Sequence, residues 1–204
     1  MPKGRRRPPS ALPKSPDAAG MGTAIRDFLR AAGVDIEGTE LSETPSRVAR
    51  AWTESFLDGY RADPADLFAE TYPVPSGPRS MVLLKAIPFH GLCPHHLLPF
   101  YGLAHVAYLP AKKIASLSSL ARLVDLYAHR LEIQETVTRQ IAEALTKQLK
   151  AQGAAVALET DQLCMTMRHP DRKGTRTITQ HFTGAFARKS KLRLEFLKSL
   201  ESFA

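Results

Sequence analysis

Cys93-Pro94-His95-His96 places one thiol and two imidazoles within four residues, in the run Phe89 to Phe100 that joins two strand-like segments. A cysteine or histidine on an apolar face is commonly a packed core residue. The rest of the cysteine usage shifts that balance. The only other cysteine is Cys164, in the apolar run Leu163 to Met167. Two thiolates and one imidazole form a set that zinc accepts, and three protein ligands leave a fourth position for water, as in catalytic rather than structural zinc sites. Consecutive side chains of an extended segment point to opposite faces, so His95 and His96 do not readily bind one ion. One is expected to hold metal and the other to handle protons.

The elements that must position these groups alternate between the two periodicities. Met81 to Ile87 reads as a strand entering the Cys93 loop and Leu103 to Leu109 as the strand returning from it, with His105 a packed histidine inside the latter. Ile114 to His129 carries a helical stripe that Ser118 could cap, and Glu132 to about Ala151 carries a longer one, with Gln134 and Glu135 in its first turn. An acid there suits the helix dipole whatever else it does. Ala154 to Leu158 reads as a strand leading to Cys164, and Thr175 to Thr183 alternates in the strand manner after a turn over His169 to Gly174. Lys189 to Ser202 is a basic amphipathic helix.

Before this core, a helix is expected from Gly22 to Gly33, and a second with Thr44 as N-cap, Pro45 at its first position and its end at Gly59. Arg61 to Arg79 reads as a connection with one helical turn near Asp66 to Ala69, and residues 1–20, rich in Pro, Arg and Lys, as a disordered tail. The expected organisation is therefore a tail over 1–20 and one domain over 21–204, with helices over 21–60 and the core over 80–204. The order of elements predicts an α+β fold: an antiparallel sheet with helices on one face. Such a sheet leaves its edges open, and side-by-side assembly into a ring would protect them.

Composition narrows the function classes. The chain of 204 residues has a net charge of +8. Lys3, Arg5, Arg6, Arg7 and Lys14 supply more than half of that excess from the tail. No aromatic residues are interleaved with Arg or Lys in the manner that stacks single strands, so nucleic acid is not the expected partner, whereas a basic body suits nucleotides. No apolar run is long enough to span a bilayer and no signal peptide is evident, which makes a cytoplasmic location the expectation.

Six ordered motifs resemble GTP cyclohydrolase I: Thr44-Pro45-Ser46-Arg47-Val48-Ala49, Cys93-Pro94-His95-His96, Ala121-Arg122-Leu123-Val124-Asp125, Ile133-Gln134-Glu135, Cys164-Met165-Thr166-Met167-Arg168 and Glu195-Phe196-Leu197. The resemblance implies a tunnelling fold (T-fold) whose subunits form a ring, typically a homodecamer with shared active sites. It implies Cys93, His96 and Cys164 as zinc ligands and His95 as the proton-transfer residue beside the purine imidazole ring. It further implies Gln134 and Glu135 as the pair on the guanine edge, and Ser118, Arg122 and Arg168 as part of the phosphate pocket. The implied reaction is hydrolytic opening of the imidazole ring of GTP at C8, release of formate and closure to 7,8-dihydroneopterin triphosphate.

The chain departs from the family pattern at four positions. Pro94 stands where Glu is usual, Ser119 where a phosphate-facing Lys is usual, and His129 at a further basic position. Gln162 stands where a second catalytic histidine is usual. Gln162 is thus the residue at the second catalytic position, and an amide does not shuttle protons near neutral pH. His169, His181 or His129 could reach in to replace it. One alternative is a divergent cyclohydrolase that stops at the ring-opened formamide or diaminopyrimidine, or acts on another purine. A second is a non-catalytic zinc-binding ring.

Overall fold

The computed structural model describes residues 16–77 and 79–201, so residues 1–15 of the tail expected over 1–20 lie outside the described residues. The chain divides into two compact units, at residues 1–61 and 62–204.

In the first unit, α1 (Ala18–Ala31) starts where the Asp17 carboxylate accepts hydrogen bonds from the Ala19 and Gly20 amides, both at 3.1 Å. That is standard N-capping chemistry. The helix opens four residues before Gly22, so the tail boundary expected at residue 20 falls inside it. Gly33, at φ 77°, follows its end. The second helix, α2 (Thr44–Ala51), packs against α1 and has Glu43, not Thr44, at its N-cap. It loosens into a π turn over Trp52–Phe56 and a 3-10 turn over Asp58–Tyr60.

The second unit is built on a four-stranded antiparallel sheet in the order β2 (Val82–Leu92), β3 (Pro99–Leu109), β5 (Gly153–Gln162) and β6 (Thr177–Phe182). Two shorter strands, β1 (Thr71–Pro73) and β4 (Lys113–Ala115), form a separate ribbon. Between β3 and β5 the chain makes α3 (Leu117–Ala128) and α4 (Gln134–Gln148). Strand alternation decides what each sheet face meets. Ala104, Val106 and Tyr108 of β3 and Ala154, Val156 and Leu158 of β5 join Leu120, Leu123 and Val124 of α3 and Val137, Ile141 and Leu145 of α4 in the main core.

The opposite face corrects the expectation of helices on one side only. There Ala107, Ala155 and Ala157 form a shallow apolar floor, and Phe186 of α6 (Gly184–Arg188) and Phe196 of α7 (Ser190–Glu201) fill the space above it. The two rings meet edge-on at 6.4 Å. Alanine methyls cannot seal a sheet face by themselves, so the C-terminal helices supply the cover. His105 is a packed residue, as expected: it is buried and its Nδ1 accepts from the Ala86 amide at 3.3 Å, at a bulge where Ala86 adopts φ 59°. Burial, then the nearby Lys85 charge, holds its pKa below the usual imidazole value.

Candidate metal centre and active site

The loop between β2 and β3 reverses the chain in six residues and is closed at both ends. The Leu97 amide donates to the Cys93 carbonyl at 2.8 Å, and the Cys93 amide donates to the Leu98 carbonyl at 2.9 Å. Leu97 takes φ 55° to make this turn. Just before it, a Cβ at Gly91 would lie 2.6 Å from the Phe100 ring and 2.7 Å from the Ala128 carbonyl, so only glycine lets β2 run this close to the end of α3. The reversal sets Cys93 Sγ 3.7 Å from His95 Nδ1 and 3.9 Å from His96 Nδ1.

Sheet pairing brings in the second thiol. Phe100 of β3 pairs with Gln162 of β5, and α5 (Leu163–Thr166) continues directly from that strand, so Cys164 arrives beside the Cys93 loop. Ligand atoms of Cys93, His96 and Cys164 all lie within 4.8 Å of one another. Of the two adjacent histidines, His96 therefore completes the group. Burial, and then the neighbouring Cys93, raises the Cys164 thiol pKa, against a smaller lowering by Arg168. A thiol raised in this way ionises reluctantly alone and readily around a divalent cation. The donor set fits zinc.

Beside this group opens a cavity of about 300 Å³, lined among others by His95, Cys164, Gln162, Glu135 and Thr177. Glu135 is exposed, in the first turn of α4 where the helix dipole favours its charge. Gln134 behaves differently. It is 4 % exposed, and its Nε2 donates to the Leu158 and Thr177 carbonyls, both at 3.2 Å. Its Oε1 accepts from Thr160 Oγ1 and Gln162 Nε2, both at 2.7 Å. The pair implied by resemblance thus divides: the Gln134 side chain is spent tying α4 to β5 and β6, and Glu135 presents its carboxylate. Thr160 was not anticipated from the sequence. Its signal was a hydroxyl at the next inward position after Ala154, Val156 and Leu158.

The remaining sequence candidates lie elsewhere. Ser118 and Arg122 are exposed on α3, Arg168 is exposed beyond α5, and none of the three lines this cavity. Helix α3 is capped by Ser116 rather than Ser118: Ser116 Oγ accepts from the Ser119 amide at 3.2 Å and lies 2.7 Å from Ser119 Oγ. Ser119 is buried, so its hydroxyl belongs to the cap. His129 is buried with its ring tilted against that of His90 at 4.5 Å, His169 is exposed, and His181 lines a separate recess that shares Glu135. None of the three lines the cavity beside the metal group. A larger cavity of about 560 Å³ lies on the other sheet face, below α7, and its lining contains no cysteine.

An α+β unit with a Cys-His-Cys group beside a cavity, and a second imidazole and a carboxylate lining that cavity, has the features of a metal-dependent hydrolase. A sequence profile of GTP cyclohydrolase I matches residues 21–201. GTP cyclohydrolase 1 of Ralstonia nicotianae is 40% identical over 185 residues, covering 91% of this chain and 88% of the relative. GTP cyclohydrolase 1 of Brucella canis is 42% identical over 184 residues, covering 90% of this chain and 86% of the relative. The crystal structure of the archaeosine synthase QueF-Like in the apo form superposes with a TM-score of 0.43 at 18% identity, over 53% of this chain and 97% of that one. The chain belongs to the GTP cyclohydrolase I family.

Proposed function

We propose that the protein opens the imidazole ring of GTP hydrolytically, releases C8 as formate and yields 7,8-dihydroneopterin triphosphate. The observation that carries this reading is the convergence of Cys93, His96 and Cys164 beside His95 and Glu135, in a chain of this family. Cys93, His96 and Cys164 would hold zinc, which when bound would supply the hydrolytic nucleophile by making a water more acidic. Glu135 accepts hydrogen bonds from the N1–H and 2-amino group of guanine, which fixes the base edge. Gln134, locked in its own network, sets the position of that carboxylate. His95 delivers a proton to a ring nitrogen as the ring opens.

Ser118, Arg122 and Arg168 take the triphosphate in this reading. Because they do not line the cavity of a single chain, the complete site draws them from a neighbouring subunit in a T-fold ring, with a decamer as the expected assembly. The catalytic domain begins with α1 at Ala18 rather than at residue 21, the tail before it is dispensable, and the protein acts in the cytoplasm. No helix among the described residues is long and apolar enough to cross a membrane. A second reading rests on Gln162, an amide at the cavity wall: the reaction stops at the ring-opened formamide or at the diaminopyrimidine left when formate departs. Incubating metal-loaded protein with GTP separates the readings. Formate together with pterin fluorescence supports the full reaction, a formamide or formate without pterin supports the second reading, and no turnover of GTP overturns both.

A further inference from the structure

The hydrogen-bond polarity around Gln162 is fixed from a distance. The Leu158 and Thr177 carbonyls can only accept, so the atom of Gln134 facing them, 3.2 Å from each, must be its Nε2. Its oxygen therefore points the other way and can only accept, so the Gln162 atom 2.7 Å from it must be the amide nitrogen. That nitrogen also donates to Thr160 Oγ1 at 3.1 Å, while the Thr160 hydroxyl gives its own proton to Gln134 Oε1 at 2.7 Å. Both amide protons of Gln162 are committed. Its Oε1 has no donor among the described residues, yet it is not a sealed atom, and Gln162 lines the cavity beside Cys164 and His95.

We propose that Gln162 presents a fixed hydrogen-bond acceptor to the five-membered ring of the bound purine, and that it selects ring states bearing an N–H. This rests on the purine-opening activity proposed above. GTP itself has no N–H on that ring: N7 carries a lone pair and N9 carries the ribose, so an acceptor facing N7 meets another acceptor. Hydration adds water across the C8=N7 bond, forming C8–O and N7–H. When C8–N9 then breaks, its electron pair goes to N9, the proton lost from the C8 hydroxyl is balanced by one gained at N9, and a formyl group is left on N7. Two N–H donors now exist where there were none. An acceptor held rigidly at this point disfavours the substrate and favours what the substrate becomes, which is the condition for accelerating a reaction through binding. Gln162 therefore acts by holding the hydrated and opened ring, and proton delivery is left to His95.

Two unhydrolysed analogues isolate this contact. 8-Oxo-GTP carries N7–H, and 7-deaza-GTP carries C–H at the same place; their competitive inhibition constants are compared on the metal-loaded protein. The wild type is expected to prefer 8-oxo-GTP, and Gln162→Met to lose about three- to tenfold of that preference at unchanged zinc content. A preference unchanged in Gln162→Met, or absent from the wild type while both analogues bind, overturns the proposal. Failure of both analogues to bind instead removes the purine-opening reading on which it rests.

Discussion

Replacing Gln134 by methionine keeps most of the side-chain volume and removes four hydrogen bonds at once: two to backbone carbonyls, one from Thr160 and one from Gln162. Each such bond contributes about 1 kcal/mol net, and a buried partner left unsatisfied costs about 1–3 kcal/mol. Backbone relaxation and water entry recover part of that around Thr177 and Gln162, which are only half-buried, whereas Thr160 is fully buried. The expected loss is about 4 kcal/mol, or roughly 10–15 °C in Tm for a unit of this size. Thermal unfolding followed by circular dichroism, with and without zinc, measures it. If Gln134 instead served mainly to hold guanine, the variant would keep its stability and lose affinity for GTP. A Tm within 3 °C of wild type would refute the reading of Gln134 as a structural tie.

Three further outcomes follow from the site. His95→Ala is expected to slow formate release about 10²- to 10⁴-fold with zinc content unchanged; full activity would exclude its proton-transfer role. Glu135→Gln is expected to raise the KM for GTP about tenfold or more, since a hydrogen bond to a charged group contributes about 1.5–3 kcal/mol; a KM within twofold of wild type removes Glu135 from the guanine edge. In metal-free protein the raised Cys164 pKa means that the folded chain holds that proton more tightly than the unfolded chain. This contribution to stability is therefore present below the ordinary thiol pKa of ~8.5 and is lost as pH rises through the higher folded value. Denaturant unfolding across that range should show the decline, and Cys164→Ser should abolish it.

Much of the fold was legible because periodicity alone separates its parts. The inward series of β5, Ala154, Val156 and Leu158, and the stripes of α3 and α4 are each written in their own repeat, and the structure joins them in one core. What escaped was set by distant partners. The ribbon of β1 with β4 has three residues per strand, too few for alternation to register. The cover on the second sheet face depends on Ala107, Ala155 and Ala157 being small where Phe186 and Phe196 arrive, a complementarity visible only once the strands are paired. The cap of α3 passed to Ser116 because its backbone is extended at ψ 150°, which lets Oγ reach the Ser119 amide; with three serines in four positions, composition could not choose among them.

The metal group was legible for a chemical reason: two cysteines in the whole chain, one beside paired histidines, leave few ways to build a soft-ligand site. The roles around it were not, because residue type does not fix which atom of an amide faces outward. Gln134 and Gln162 are the same residue type, 28 positions apart, yet one is wholly consumed and the other has its oxygen left over. The difference traces to the carbonyls of Leu158 and Thr177, which come from two strands and meet the N-terminus of α4 only in the folded chain. Removing the Thr160 hydroxyl tests that ordering without touching any proposed ligand. Thr160→Val deletes the bond to Gln134 and frees one Gln162 amide proton, so the Gln162 side chain gains rotational freedom while Cys93, His96 and Cys164 keep their places. The expected result is unchanged zinc content with the 8-oxo-GTP preference reduced but not abolished. Loss of zinc in that variant would mean that the network supports the metal group itself rather than the purine side of the cavity.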